Sequence, residues 1–323
     1  MKTTRRGLLA APLLLPALAQ AQPAWQPTRP LRLIVPFAPG GSTDVGGRLI
    51  AERMGETLGQ SVVVENRTGA GGAVGAEATA RSAPDGYTMM VATNGGFTMA
   101  PHLGLMRSVD VRRELSMASM IFTTDVIVVV NQRIPVNTIA EFLAYVRERP
   151  GQLSFATSGV GTSTHLFTEL FMAVSGTQMV HVPYRGSGQA MADLVSGTIQ
   201  VMIDQPASSI AQVRQGAIRA LATSGGQRLS LLPDIPTFAE AGLGEASVQS
   251  WGAIAVPAGT PPAAIERIGA AVREAVSHPP VVQRMAAAGL DAVGSTPAEM
   301  EQVIARDYER WGRVIRERNI RVE

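Results

Sequence analysis

The hydrophobic positions of this chain fall into short apolar runs that alternate with longer amphipathic stretches. Residues 31–37 (LRLIVPF) form one such run, which is typical of a buried strand. The stretch that follows, up to Leu58, has apolar residues four positions apart, and this spacing predicts an amphipathic helix. Residues 61–67 and 87–95 again have the strand pattern, with a short predicted helix between them. This alternation predicts right-handed βαβ units and a mostly parallel sheet.

A second alternating series begins at residues 123–131 (TTDVIVVVN), the most strongly β-branched segment of the chain. Later, residues 251–257 (WGAIAVP) predict a strand that returns to the first unit, followed by helices at 261–277 and 297–318. We therefore expect an α/β protein of two lobes whose chain crosses between them twice, which makes a double hinge beside a cleft. The expected boundaries are residues 22–122 and 247–323 for the first lobe and 123–246 for the second.

The first 21 residues combine the features of a secretory signal peptide. A basic segment (MKTTRR) precedes an apolar stretch (GLLAAPLLLPALA) and the small-x-small site Ala19-Gln20-Ala21. The apolar stretch is shorter than the ~18 to 20 residues of a transmembrane helix. We expect cleavage after Ala21 and export to the periplasm. Because Arg5-Arg6 also resembles a twin-arginine motif, the Sec and twin-arginine routes both remain open.

Composition and charge exclude several classes of protein. With 46% hydrophobic and 17% charged residues the chain is globular. The pI of about 9.4 suggests nucleic-acid binding, but outside the predicted signal peptide 25 basic residues face 26 acidic ones, so no nucleic-acid partner is expected. The absence of cysteine excludes disulfides, thiolate metal sites and a cysteine nucleophile. The four histidines lack the spacing of metal ligands, so neither a metal nor a cofactor is predicted, and a metal held by carboxylates alone is the alternative left open.

Two motifs that suggest enzymes fail on their spacing. Residues 69–75 (GAGGAVG) would put the third glycine of a dinucleotide fingerprint on Val74, and no acidic residue closes a strand about 20 residues later. A serine hydrolase is not favoured either, since the chain has no G-x-S-x-G, and Ser163 and His165 would face different sides of a helix.

Glycine loops before helix starts are the remaining chemical signal. In residues 34–44 (IVPFAPGGSTD), Gly40 and Gly41 precede a predicted helix for which Thr43 or Asp44 is the expected N-cap. Free N–H donors and the positive end of the helix dipole favour an anion at this position.

The second series repeats the arrangement. Residues 155–171 (FATSGVGTSTHLFTELF) place Gly159 and Gly161 before a helix that opens near Thr162 and Ser163. Two such loops would place two anion-binding sites on opposite sides of one cleft. The alternative is that both loops are only tight turns between strand and helix.

Several blocks of sequence resemble one family. They are RPLRLIVPFAPGGSTDVGGR, VVVENRTGAGGAVGAEATARSAPDGYTMMVAT, SFATSGVGTSTHLFTELF, VHVPYRGSGQAMADLVSGTIQVMIDQ, LATSGGQRLSLLPDIPTFAEAG and SWGAIAVPAGTPP. In this order they resemble the tripartite tricarboxylate transporter substrate-binding receptors, also called the Bug (Bordetella uptake gene) family. The resemblance implies a type II periplasmic-binding-protein fold that closes on a small carboxylate ligand.

The resemblance also implies which residues bind the ligand. The matching positions are Phe37, Ala38, Gly40, Gly41, Ser42 and Asp44 in the first loop, Thr93 and Asn94 at the cleft floor, Gly159, Gly161, Thr162 and His165 in the second loop, Tyr184 and Arg185 in the VPYRG turn, and Asp204 at a strand end.

Three of these residues have alternative roles. Arg185 either binds a ligand carboxylate or pairs with a neighbouring acid at the surface, and His165 on an apolar helix is also suited to packing. Asp204 ends a predicted strand, where open α/β sheets bind ligands. A carboxylate there would repel a plain dicarboxylate and accept a hydrogen bond from an ammonium or hydroxyl group, which favours an amino or hydroxy acid.

The predicted function is capture of a small carboxylate, a di- or tricarboxylate or a hydroxy or amino acid, by a monomer with no enzymatic activity. The expected partners are the inner-membrane permease subunits of a tripartite transporter. Alternatives are a ligand sensor that contacts a sensor-kinase ectodomain and, less favoured, a secreted hydrolase or lyase.

Overall fold

The computed structural model describes residues 25–321, so the predicted signal peptide, residues 1–21, lies outside the described residues. The strands are β1 (Leu31–Val35), β2 (Val62–Asn66), β3 (Thr88–Thr93), β4 (Leu115–Thr124), β5 (Ile127–Asn131), β6 (Ser154–Thr157), β7 (Val180–Pro183), β8 (Val201–Asp204), β9 (Ile218–Thr223), β10 (Ser250–Pro257) and β11 (Asp291–Ala292). The helices are α1 (Ser42–Leu58), α2 (Ala73–Ala80), α3 (Val111–Glu114), α4 (Ile139–Arg147), α5 (Ser163–Ser175), α6 (Ser187–Ser196), α7 (Pro206–Arg214), α8 (Pro262–Ser277), α9 (Pro279–Ala287) and α10 (Pro297–Glu317). Among these helices, none has both the length and the apolar character needed to cross a bilayer.

The strands form two separate sheets, one per lobe. The first has the order β11-β4-β10-β3-β1-β2 and the second the order β7-β6-β8-β5-β9. The chain leaves the first sheet between β4 and β5 and returns to it between β9 and β10. Two α/β lobes joined by two crossings are therefore present, as predicted. The residue boundaries given above for the lobes stay a prediction.

The prediction of mostly parallel sheets is wrong. Only β2, β1 and β3 in the first sheet and β7, β6 and β8 in the second pair in parallel. The strands next to the crossings, β4, β5, β9 and β10, and the edge strand β11 all pair antiparallel. The reason is topological, since β5 and β10 enter their sheets directly from the other lobe without a preceding crossover helix. Every antiparallel pair except β4–β11 contains one of these two strands.

Helix α1 lies unusually close to the first sheet, and this closeness positions its N-terminus. A Cβ on Gly46 would lie 2.6 Å from the Phe122 ring, and one on Gly47 would lie 3.1 Å from Val91. A larger residue at either position would push the helix outward. The two glycines therefore allow the start of α1 to lie closely against β3 and β4.

Helix α10 contributes side chains to both lobes. Met300 and Ile304 pack in a core of the first lobe, whereas Trp311 and Ile315 pack in the core of the second. The Trp311 ring lies 5.5 Å from that of Phe167 on α5. The helix is thus a third, non-covalent link between the lobes.

Candidate functional site

A small polar cavity lies where the two sheets face each other. The lining residues are Phe37, Gly41, Ser42, Thr43, Thr93, Phe122, Ser158, Ser163, Ser187, Gln205, Ser250 and Trp251. Its volume is about 20 Å³, which is enough for about one water molecule. An organic acid of four carbons does not fit into this space, so its entry requires the lobes to move apart.

Four helices begin at this cavity. Gly41 is the N-cap of α1 and Gln205 the N-cap of α7, while Ser163 and Ser187 are the first residues of α5 and α6. The first-turn N–H groups of a helix have no acceptor within the helix, and each N-terminus carries a partial positive charge. The lining includes no lysine or arginine. The positive potential at the cavity therefore comes from the helix N-termini and not from side chains.

The first loop is organised by Asp44, which is buried. Its Oδ2 accepts from the Gly40 N–H at 3.1 Å, and its Oδ1 accepts from Arg48 Nε at 3.0 Å and Asn66 Nδ2 at 2.9 Å. Burial alone would raise the pKa of Asp44, but these three hydrogen bonds outweigh it and hold that pKa below its ordinary value. The prediction that Thr43 or Asp44 is the N-cap of α1 is wrong, because the N-cap is Gly41 and Asp44 lies within the first turn, from which it reaches back to the loop.

Asp44→Asn is expected to destabilise the protein by about 1–3 kcal/mol, because the new amide group would face three donors where the carboxylate accepts from all of them. Urea unfolding at pH 7 measures the change in the free energy of unfolding. The matched control is Asp234→Asn, at an exposed aspartate, which should change stability by less than about 0.5 kcal/mol. Equal stabilities for the two variants would contradict this role of Asp44.

The second loop is also held by internal hydrogen bonds. The Gly161 N–H donates to His165 Nδ1 at 3.2 Å, and the Gly159 N–H donates to Thr157 Oγ1 at 3.2 Å. The hydroxyl of Thr162 donates to the Gly159 carbonyl at 2.7 Å. The amides of Gly40, Gly159 and Gly161 are thus already engaged. The groups that face the cavity are instead at the helix starts, one or more residues further along the chain.

The VPYRG turn contacts the first loop through its backbone. The Ala38 N–H donates to the Arg185 carbonyl at 3.1 Å, and the Arg185 side chain is exposed. The Tyr184 hydroxyl donates to Asp193 Oδ2 at 2.5 Å. Burial and this neighbouring carboxylate raise the pKa of Tyr184 to about 12. Neither side chain is part of the cavity lining. The turn therefore contacts the first loop through its backbone and not through these two side chains.

A chain of polar side chains joins the lobes at the cavity floor. Gln205 Nε2 donates to Ser250 Oγ at 3.4 Å, and Ser250 Oγ donates to Asn94 Oδ1 at 3.2 Å. Asn94 Nδ2 donates in turn to the Gln249 carbonyl at 3.3 Å. Asn94 therefore ties the end of β3 to the start of β10, next to one of the two crossings.

Two buried oxygens near the cavity have no hydrogen-bond partner among the described residues, Ser42 Oγ and Asp204 Oδ1. Ser42 lines the cavity, and Asp204 lies directly before Gln205. The other oxygen of Asp204 accepts from Ser208 at 2.7 Å. Burial raises the pKa of Asp204, against the opposing effect of nearby Ser208 and Ser187. A buried polar atom without a partner is costly, so both oxygens are suited to meet a polar ligand.

The structure brings four of the fifteen predicted site residues into the lining, Phe37, Gly41, Ser42 and Thr93. The other eleven shape the surrounding loops, as described above for most of them. Sequence reasoning missed eight lining residues, Thr43, Phe122, Ser158, Ser163, Ser187, Gln205, Ser250 and Trp251. Three of these, Ser163, Ser187 and Gln205, begin or cap a helix that follows a strand. Their position at the turn from strand to helix is the sequence feature that could have identified them. Among the described residues no group of histidines and carboxylates could hold a metal ion.

Comparison with known proteins agrees with this architecture. Residues 47–320 match the protein family described as the tripartite tricarboxylate transporter family receptor. Protein BugT of Bordetella pertussis (strain Tohama I) is 36% identical over 293 residues, which cover 90% of each protein. Periplasmic binding protein BugD superposes with a TM-score of 0.88 at 29% identity, covering 92% of this chain and 100% of that one.

Two further solved structures contain ligands. One is an R. palustris protein with adipate, with a TM-score of 0.87 and 32% identity over 91% of this chain and 99% of that one. The other is MatC from Rhodopseudomonas palustris with bound malate, with a TM-score of 0.86 and 30% identity over 90% of this chain and 99% of that one. The chain thus belongs to the tripartite tricarboxylate transporter receptors, the Bug family of periplasmic solute-binding proteins, and it is a binding protein and not an enzyme.

Proposed function

We propose that the protein captures a small dicarboxylic acid in the cavity between its lobes and delivers it to the permease of a tripartite transporter. The observation that carries this proposal is the convergence of four helix N-termini on one cavity lined by hydroxyl groups and by no charged side chain. Such a site favours anions, and its donors come from both lobes.

The arrangement favours an acid with a carboxylate at each end. On one side α1 offers the N–H groups of Ser42 and Thr43, and on the other α5 and α6 begin with Ser163 and Ser187. Helix α7 contributes fewer donors, because its first residue is Pro206 and has no N–H. A diacid that bridges the two sides would hold the lobes together.

Asp204 bears on which diacid is preferred. Its buried carboxyl, with one oxygen unpartnered, is suited to accept from a hydroxyl or ammonium substituent. The adipate and malate seen in the two neighbours are consistent with diacids of four to six carbons. We propose a hydroxy- or amino-substituted diacid as the preferred ligand of this protein.

Closure of the lobes would supply the selectivity. Hydrogen bonds to a charged group are stronger than those between neutral groups, and exclusion of water strengthens them further. A micromolar affinity corresponds to about −8 kcal/mol, which a few such bonds can supply. Family membership supports the periplasm as the place of capture and a tripartite permease as the recipient. Export by the Sec or twin-arginine route stays a prediction.

A thermal-shift panel tests the ligand class. L-malate, L-aspartate, adipate and citrate are compared with the neutral dimethyl ester of malate as a matched control. A true ligand at 100 times its Kd should stabilise the protein by roughly 2.7 kcal/mol and raise the melting temperature measurably, whereas the ester should not. If no acid raises the melting temperature at millimolar concentration, or if the ester acts as well as malate, the proposed site is wrong.

The partner is tested with the acid that stabilises most. The protein is mixed with detergent-solubilised permease subunits, with and without that acid, and their association is measured. Delivery to the permease predicts tighter association when the acid is present. Failure to associate in both conditions, together with capture of a sensor-kinase ectodomain, would favour the sensing alternative.

A further inference from the structure

Two histidines stack next to the second loop, outside the cavity lining. The rings of His165 on α5 and His181 on β7 lie 3.9 Å apart with an interplanar angle of 18°. Phe155 on β6 stacks on His181 at 5.0 Å. His165 is 2% exposed. Neither histidine is part of the cavity lining, so the pair does not touch a ligand held there.

Each histidine is connected to one glycine amide of the loop. His165 Nδ1 accepts directly from the Gly161 N–H. His181 Nε2 lies 2.6 Å from Thr157 Oγ1, and that hydroxyl accepts from the Gly159 N–H. The two amides are therefore engaged by the stack, one directly and one through Thr157, and neither is a free donor for a ligand.

The bond to Gly161 requires one particular form of His165. A ring nitrogen accepts a hydrogen bond only when it carries no proton, so the proton of the neutral ring must be on Nε2. Glu169 lies one helical turn further along α5, and its Oε1 is 3.5 Å from that Nε2. The negative charge of Glu169 favours the proton on this nitrogen and thereby leaves Nδ1 free to accept.

We propose that His165, oriented by Glu169 and by its stack on His181, is a positioning residue that fixes the second loop in its ligand-binding shape. This positioning role rests on the proposed function in one respect, that the second loop faces the bound ligand. With Gly161 held by His165, Ser158 and Ser163 on either side of the loop are kept at the cavity. Without this anchor the loop would lose the fixed orientation of both serines.

The test compares His165→Asn with His165→Leu. The side-chain oxygen of asparagine can occupy the position of Nδ1 and accept from Gly161, whereas leucine fills similar space without an acceptor. The first measurement is the Gly161 amide in ¹H–¹⁵N spectra and its rate of hydrogen exchange, which needs no ligand. We expect His165→Leu to shift this signal and to speed its exchange at least tenfold, and His165→Asn to restore it largely.

The second measurement is affinity for malate and adipate by calorimetry. His165→Leu is expected to lower the affinity about tenfold, and His165→Asn to recover most of the loss. If neither acid binds the wild-type protein, the proposed function fails for these acids while the amide measurement still decides the positioning role. The control is His278→Leu, at the histidine that precedes α9 in the first lobe and makes no side-chain capping bond there, and it should leave the Gly161 signal unchanged.

A second pair of variants, at Glu169, covers the case in which His165→Leu does not fold. Glu169→Leu removes the charge that favours a proton on Nε2, and Glu169→Gln keeps an acceptor oxygen there. In ¹⁵N spectra of the His165 imidazole, the wild-type protein and Glu169→Gln should show an unprotonated Nδ1. In Glu169→Leu, a substantial fraction of the molecules should carry the proton on Nδ1. A protonated Nδ1 in the wild-type protein would overturn the proposal, as would an unchanged Gly161 amide in folded His165→Leu.

Discussion

Gly188→Ala is expected to weaken binding of the carboxylate ligand at least tenfold while leaving the fold intact. Gly188 is the second residue of α6, and a Cβ there would lie 2.5 Å from the carbonyl oxygen of Pro39 in the first loop. Because that oxygen belongs to the backbone, the loops of the two lobes would have to move apart. The variant therefore opposes closure, and closure is the step that holds the ligand.

The free energy of unfolding should change little in this variant, since alanine is a better helix former than glycine and the separated lobes have room for the methyl group. Calorimetry with the most stabilising acid measures the affinity, and urea unfolding measures stability. The matched control is Gly226→Ala, where the added carbon would meet no atom within 4 Å. Wild-type affinity in a folded Gly188→Ala protein would show that the contact between Pro39 and Gly188 is not part of the ligand-bound state.

Acid is expected to destabilise the folded protein between about pH 6.5 and pH 4 through His181. Burial, and secondarily the neighbouring His165, lower the pKa of His181 from 6.5 to about 4. In this range the unfolded chain binds a proton that the folded protein excludes, so stability falls as the pH is lowered and levels off below about 4. At about 1.36 kcal/mol per pKa unit, the loss is about 3 kcal/mol at most.

Urea unfolding at pH 7.5 and pH 4.5 measures this loss in the wild-type protein and in His181→Gln, which cannot be protonated at that position. The buried Asp204 and the partly buried Asp125 have raised pKa values and act in the opposite direction, so only the difference between the two proteins isolates His181. The variant should lose less stability on acidification, by about 2 to 3 kcal/mol. Equal losses in the two proteins would refute the assignment.

Local patterns were sufficient to predict most of the elements. The series from β6 to β8 was found from its sequence, because its strands are short apolar runs and α5 and α6 are amphipathic. Strand β4 was missed. Its residues 115–124 are mostly buried on both faces, so they show neither the alternation of a half-buried strand nor the period of a helix.

The sequence predicted which loops form the candidate site, but not which backbone and side-chain atoms face the cavity. The sequence placed glycines before two helices, and these helices do begin at the cavity. Which amides remain free was decided by distant partners. Asp44 engages the Gly40 amide with the help of Asn66, and His165 engages that of Gly161 while stacked on His181.

The order of short apolar runs and amphipathic stretches, with glycines at the strand-to-helix turns, determined by itself that this chain forms two α/β lobes with helix N-termini facing a shared cleft. These features depend on residues a few positions apart. Tertiary structure alone decided the antiparallel strands at the crossings, the link made by α10 and the meeting of four helix starts at one cavity. Each of these depends on how segments far apart in the sequence pack together, because burial and hydrogen-bond partners between distant segments decide which arrangement is stable.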